Sequence, residues 1–142
     1  MYGGYLVIET NSAHPELVRI IETASVPHPP LPGHGKGPRM RYATRFDDLS
    51  AGHMHAHTAL RHSLLNVDEG LYRSDPITAV AAVEAIELTH RRIYLDPVLA
   101  KDPTLAAAIA SMHGKHRLSD LVWNAVGVIA ALFLLIKLLL GF

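Results

Sequence analysis

Tyr5-Leu6-Val7-Ile8-Glu9, then Thr10 to Glu16, then Leu17-Val18-Arg19-Ile20-Ile21 is the stretch that decides the fold class. Each apolar run has the length and β-branched content of a buried strand. Asn11 to Pro15 between them carries turn-forming residues, so residues 5 to 21 read as a hairpin with a longish loop. From Ala24 to Pro38 the composition changes to five prolines and three glycines in fifteen residues, which reads as an extended loop. Arg39 to Phe46 resumes a period of two. Met40, Tyr42, Thr44 and Phe46 fall on one side, with Arg39, Arg41 and Arg45 on the other beside Ala43.

Helical signals follow. Asp47 or Asp48 is placed to cap a helix running to about Leu65. Asn66 to Leu71 reads as a turn and Leu71-Tyr72-Arg73 as a short fourth strand. Ser74-Asp75-Pro76 starts an Ala- and Val-rich helix to about Thr89, with a capping side chain before a first-turn proline. Arg91 to Leu95 fits either a strand or a helix tail. Asp102-Pro103 opens a further helix through about Met112. The order of elements predicts an α+β domain, a small antiparallel sheet of three or four strands with helices on one face.

The C-terminal stretch has a different character. From Leu121 to Phe142 there is no acidic residue and one base, Lys137. As a helix this run reaches roughly 33 Å, enough to cross a bilayer core. Trp123 stands where an interfacial aromatic belt belongs, and Lys137 lies near the far end, where its stem can carry the ammonium to the interface. The expected organisation is a domain over 1–96 containing the Pro/Gly-rich loop 24–38, a helical linker over 97–120 and a transmembrane helix over 121–142. The N-terminal residues lack the basic and apolar regions of a signal peptide. His113-Gly114-Lys115-His116-Arg117 precede the span and nothing basic follows Lys137. The positive-inside rule therefore places the N-terminal domain in the cytoplasm of a single-pass membrane protein.

Composition narrows the chemistry. The formal net charge is zero, which gives no global attraction to nucleic acid, and the absence of cysteine excludes disulfides, thiolate catalysis and cysteine-type zinc sites. Gly33 to Pro38 looks like a phosphate loop but lacks the spacing, and proline follows where a helix should start.

Ten histidines are many for 142 residues. His53 and His57 are one turn apart on the face of the predicted helix that also carries Leu49, Leu60 and Leu64, whereas His55 and His62 lie roughly opposite. A pair at i and i+4 is the candidate metal site, but it needs a third ligand and lacks the His-Glu-x-x-His pattern. The simpler reading is partly buried or surface histidines. Lys36, Arg39, Arg41 and Arg45 form the candidate surface for phosphate, either of nucleic acid or of anionic lipid. The alternative is an ordinary solvated sheet face balanced by neighbouring acids.

Gly4-Tyr5-Leu6-Val7-Ile8, Asn11 and Pro15, Leu17-Val18-Arg19-Ile20, Arg41-Tyr42-Ala43, Ala59-Leu60-Arg61 and Leu71-Tyr72-Arg73 before a capped helix together resemble the GIY-YIG nuclease superfamily, nearest its phage-type stand-alone branch. The resemblance covers about residues 4 to 90. It implies metal-dependent phosphodiester cleavage with Arg19 and Glu69 as the catalytic candidates and magnesium as the only cofactor. The chain departs from the pattern at several positions. Val7 stands where the first motif ends in tyrosine, and Ile21 stands where the second ends in glycine. The Pro-rich loop replaces a short helix carrying an essential arginine. Arg61, beside His62, occupies the place of the branch histidine, and Gly70 that of the metal-binding glutamate. These departures imply a catalytically inactive relative that needs no cofactor. The leading expectation is a membrane-anchored GIY-YIG-like binding module with a nucleic-acid or protein partner. The alternatives are a single-pass accessory subunit of a membrane complex, for which Gly127, Ala130 and Ala131 offer a small-residue helix face, and an active metal-dependent endonuclease.

Overall fold

The computed structural model describes residues 2–29 and 37–141. The chain folds as an α+β domain built on a six-stranded antiparallel sheet, with a long apolar helix at its C-terminus. The strands are β1 (Gly4–Asn11), β2 (His14–Thr23), β3 (Pro38–Phe46), β4 (Leu64–Asn66), β5 (Leu71–Arg73) and β6 (His90–Leu95). They are ordered β4-β5-β2-β1-β3-β6, so β1 is central and β4 and β6 form the edges. The helices are α1 (Leu49–Leu60), α2 (Pro76–Glu84), α3 (Pro97–Ala100) and α4 (Pro103–Leu140), with a single 3-10 turn at Arg61–Ser63.

The expected hairpin is present but tighter than its sequence suggests. Only Ser12 and Ala13 separate β1 from β2, and Asn11 Oδ1 accepts the Ala13 N–H at 3.0 Å to close the turn. The sheet is also wider than three or four strands. β4 takes residues that extend the helical pattern of α1, and β6 resolves the ambiguous Arg91–Leu95 run as an edge strand. Four aspartates do the capping. Asp48, Asp75, Asp96 and Asp102 each accept a backbone N–H at the start of a helix, and proline follows directly in the last three cases.

All four helices contribute to one core on one face of the sheet. Leu6, Ile8, Val18, Ile20, Tyr42, Phe46 and Tyr72 from the strands meet Leu49, Ala56, Leu60, Val80, Val83, Leu99 and Leu105 from the helices. A Cβ on Gly52 would lie 2.7 Å from the Phe46 ring, so this position lets α1 approach the sheet closely. Among the described residues the opposite face has no helix, and it carries a smaller cluster of Val7, Met40 and Ala43 with Ile93 and Tyr94.

One sequence expectation needs correction. The domain does not end near residue 96, because Leu99 and Leu105 are buried in the main core and Ala108, Ile109 and Met112 pack against it. The 105, 108, 109, 112 spacing is one helical stripe, so the start of α4 belongs to the domain rather than to a linker. The helix opened by Asp102-Pro103 continues past Met112, so α4 is one helix of 38 residues, about 57 Å long. From His113 onward its described residues are exposed, and its distal part is long and apolar enough to cross a membrane.

Candidate binding face and the predicted site residues

The arginines of β3 do not share a face. β1 pairs Ile8 with Tyr42 but Glu9 with Met40, leaving Arg41 as an extra residue in a bulge. Past the bulge the alternation inverts. Arg39 lies opposite Thr10, on the helix-bearing side, and Arg45 lies opposite Tyr5, on the helix-free side. Met40 moves for the same reason into the small cluster with Val7, away from Tyr42 and Phe46.

Arg39 and Arg41 converge on Asp96, whose side chain is fully buried. Arg39 Nη2 is 2.9 Å and Arg41 Nε 3.1 Å from its Oδ2. The Arg41 contact is off the hydrogen-bonding line and acts as an ion pair. Asp96 Oδ1 accepts the Val98 N–H at 2.8 Å, and the Asp96 N–H donates to the Arg41 carbonyl at 2.8 Å. One carboxylate thus joins β3, the end of β6 and the start of α3, and it attaches the α3–α4 segment to the sheet. Arg45 stands 3.8 Å from Asp47, with both side chains largely exposed. Lys36 lies outside the described residues. Two of the predicted phosphate ligands are therefore engaged by a buried acid.

Arg19 and Glu69 do meet, through the Glu69 backbone. Arg19 Nε donates to the Glu69 backbone carbonyl at 3.1 Å, and both residues are exposed. Gly70 has φ +62°, and a Cβ there would lie 2.4 Å from the Ile20 carbonyl oxygen. Its own carbonyl accepts the Ile20 N–H at 2.9 Å. Glycine at this position is a backbone requirement, because the β4–β5 turn must come in close against β2.

His53 and His57 face the sheet from α1, half-buried, as their shared helix face implies. Each has its own partner. His53 Nδ1 contacts the Glu22 carboxylate, and His57 Nδ1 lies 3.0 Å from the Tyr72 hydroxyl with the two rings edge-on. Among the described residues no group of three or more His, Cys, Asp or Glu side chains is arranged to hold a metal ion.

A polar network absent from the sequence reading ties the edge strand to α2. Glu84 Oε1 accepts from the Tyr42 hydroxyl at 2.9 Å and from Arg92 Nε at 2.6 Å. His90 Nε2 stands 3.9 Å from Glu84 Oε2, its ring 5.1 Å from that of Phe46. Burial raises the Tyr42 hydroxyl pKa well above the usual tyrosine range, and the Glu84 charge adds to the effect. The hydrogen bond to Glu84 raises that of Arg92 as well. The Glu84 to Arg92 separation, across a turn between two elements, carries no periodic signal that would have revealed this contact.

A concavity lies on the helix-free face. Val7, Ile21 and Met40 form its floor, Pro27, His28 and Pro38 its walls, and Glu9 and Thr23 its polar rim, around about 380 Å³. The start of the Pro-rich segment thus lies along a sheet face that none of the described helices covers. This volume is within the range of binding clefts, and the lining suits a partner with apolar side chains. No protein-family model, curated protein or solved structure matches the chain.

Proposed function

We propose that this protein is a single-pass, membrane-tethered binding module of the kind a GIY-YIG-like domain with displaced catalytic groups implies, and that its helix-free sheet face takes a protein partner. One observation carries the reading. A single helix, α4, packs one stripe of its first turns (Leu105, Ala108, Ile109 and Met112) on the domain core and is exposed and predominantly apolar over residues 121–140, about 30 Å of it, which equals a bilayer core. Such an exposed apolar surface needs lipid or another apolar partner to cover it.

The choice of a protein over nucleic acid is supported by Asp96, which engages Arg39 and Arg41, and by the apolar floor of the cleft. The basic residues before the apolar segment favour the domain facing the cytoplasm.

Flotation of the full chain with neutral phosphatidylcholine vesicles tests the tether. It should co-float and resist alkaline extraction, and protein left in the aqueous fraction would end the reading. Protection of an N-terminal reporter from external protease tests orientation. For the partner, co-purification in mild detergent should be lost in Met40→Glu. Salt-sensitive DNA binding that depends on Arg45, with no captured protein, would favour the nucleic-acid reading instead. A second reading, an accessory subunit packed against another span, is favoured by Gly127, whose surroundings are open enough for a neighbouring helix backbone to approach.

A further inference from the structure

We infer that the section of α4 between the domain and the apolar segment, residues 113–120, is a collar that binds the phosphates of anionic lipids. The inference rests on the tethering proposed above and adds the lipid class that the tether selects.

The continuity of α4 fixes the depth of each side chain. Met112 is the last residue of the helix packed on the core, and Leu121 opens the apolar segment. At about 1.5 Å per residue, Arg117 stands about 6 Å and Lys115 about 9 Å outside Leu121. The polar layer on each side of a bilayer is about 5–8 Å thick. Arg117 therefore lies at phosphate depth, and Lys115 reaches it with its four-carbon stem.

Azimuth supports a collar rather than a stripe. At about 100° per residue, His113, His116 and Arg117 share one side of the helix and Lys115 projects from the other, so the donors surround the axis. All four are exposed, and among the described residues none of them forms an ion pair. Elsewhere, Arg39, Arg41 and Arg92 are engaged by carboxylates. Asp120 is the opposing charge in the collar, one turn from Arg117 and nearest the hydrocarbon.

The occupant follows from position. The collar spans only about 12 Å between domain and lipid, a gap already bordered by headgroups, so anionic phosphate is supplied by the bilayer itself. Arg117 can take such a phosphate through paired N–H donors, and Lys115 as a point charge.

The chain has a single tryptophan, Trp123, just inside the apolar segment, which makes a native reporter. Full-length protein is reconstituted in phosphatidylcholine vesicles carrying trace phosphatidylglycerol or phosphatidylcholine with the same acyl-chain energy acceptor. The expected result is stronger transfer from Trp123 to the phosphatidylglycerol tracer, equivalent to an enrichment of about five-fold for each of Lys115 and Arg117 at low salt. Lys115→Gln with Arg117→Gln should abolish the preference, and Asp120→Asn should increase it. Equal transfer to both tracers in the wild-type protein overturns the collar while leaving the tether intact. Transfer to neither tracer overturns the tether and the collar together.

Discussion

Replacing Asp96 with alanine should be among the most damaging single changes in the domain. The substitution removes the N–H acceptor for Val98, worth about 1 kcal/mol as a helix cap. It also leaves Arg41, whose side chain is 17% exposed, without its counter-charge. Breaking a buried ion pair from one side costs about 3–5 kcal/mol. Arg39 adds little, since its side chain is 53% exposed and can turn to water. The off-line Arg41 contact argues for the lower part of that range. We expect about 3–4 kcal/mol, a large share of the 5–15 kcal/mol typical of a domain. Urea unfolding of the full chain in mild detergent, followed by near-ultraviolet circular dichroism from the buried Tyr42 and Tyr72, measures it. Asp96→Ala combined with Arg41→Met should recover most of the loss, because no unpaired charge remains. A loss under about 1 kcal/mol in the single variant would show that water already solvates the arginines. The reasoning that Asp96 holds α3 and α4 to the sheet would then be refuted.

The other perturbations probe different parts of the structure. Gly70→Ala puts a Cβ against the Ile20 carbonyl at a left-handed φ and should cost about 2 kcal/mol or more by the same unfolding assay. Tyr42 has a raised pKa in the folded state, so its contribution is complete below the ordinary tyrosine value near 10 and is lost as pH climbs above it. Unfolding free energies between pH 9 and 11 should fall with a slope of up to about 1.4 kcal/mol per pH unit from this group, and Tyr42→Phe should flatten that part of the slope. Leu132→Arg places a charge at the middle of the apolar segment and should cost about 3 kcal/mol of insertion, read as increased alkaline extraction from membranes.

Much of the architecture was legible because local chemistry and final structure agree. The two apolar runs of β1 and β2, the Asp75-Pro76 and Asp102-Pro103 helix starts, and the stretch from Leu121 each carry a signal within a short window. What was missed depends on contacts distant in sequence. β4 is three residues long, too short for any periodicity, and exists because Gly70 brings its turn against Ile20. β6 carries Arg91 and Arg92, which blunt a sheet edge but also obscure its strand pattern. The bulge at Arg41 is silent in sequence, so a strict period of two put Met40 beside Tyr42 and all three arginines on one face.

The candidate sites show the same division. The shared face of His53 and His57 follows from helical spacing alone, but their separate partners, Glu22 and Tyr72, come from other strands. Asp96 announces itself only as a capping residue before proline. Its role as the acid that engages Arg39 and Arg41 requires β6 to end beside β3. The cleft is invisible for a related reason: its floor takes one residue from each of three strands, each unremarkable in its own run.

The central claim is that α4 is one helix, seated in the domain at its start and surrounded by lipid at its end. A nitroxide scan along residues 103–140 of the full chain in lipid nanodiscs, comparing collisions with oxygen and with a water-soluble nickel reagent, tests it residue by residue. Positions 105, 108, 109 and 112 should be shielded from both, 113–120 should be open to nickel, and 121–140 should be reached by oxygen around the whole circumference. Nickel access or a protected stripe along 121–140, with no oxygen gradient, would contradict the account.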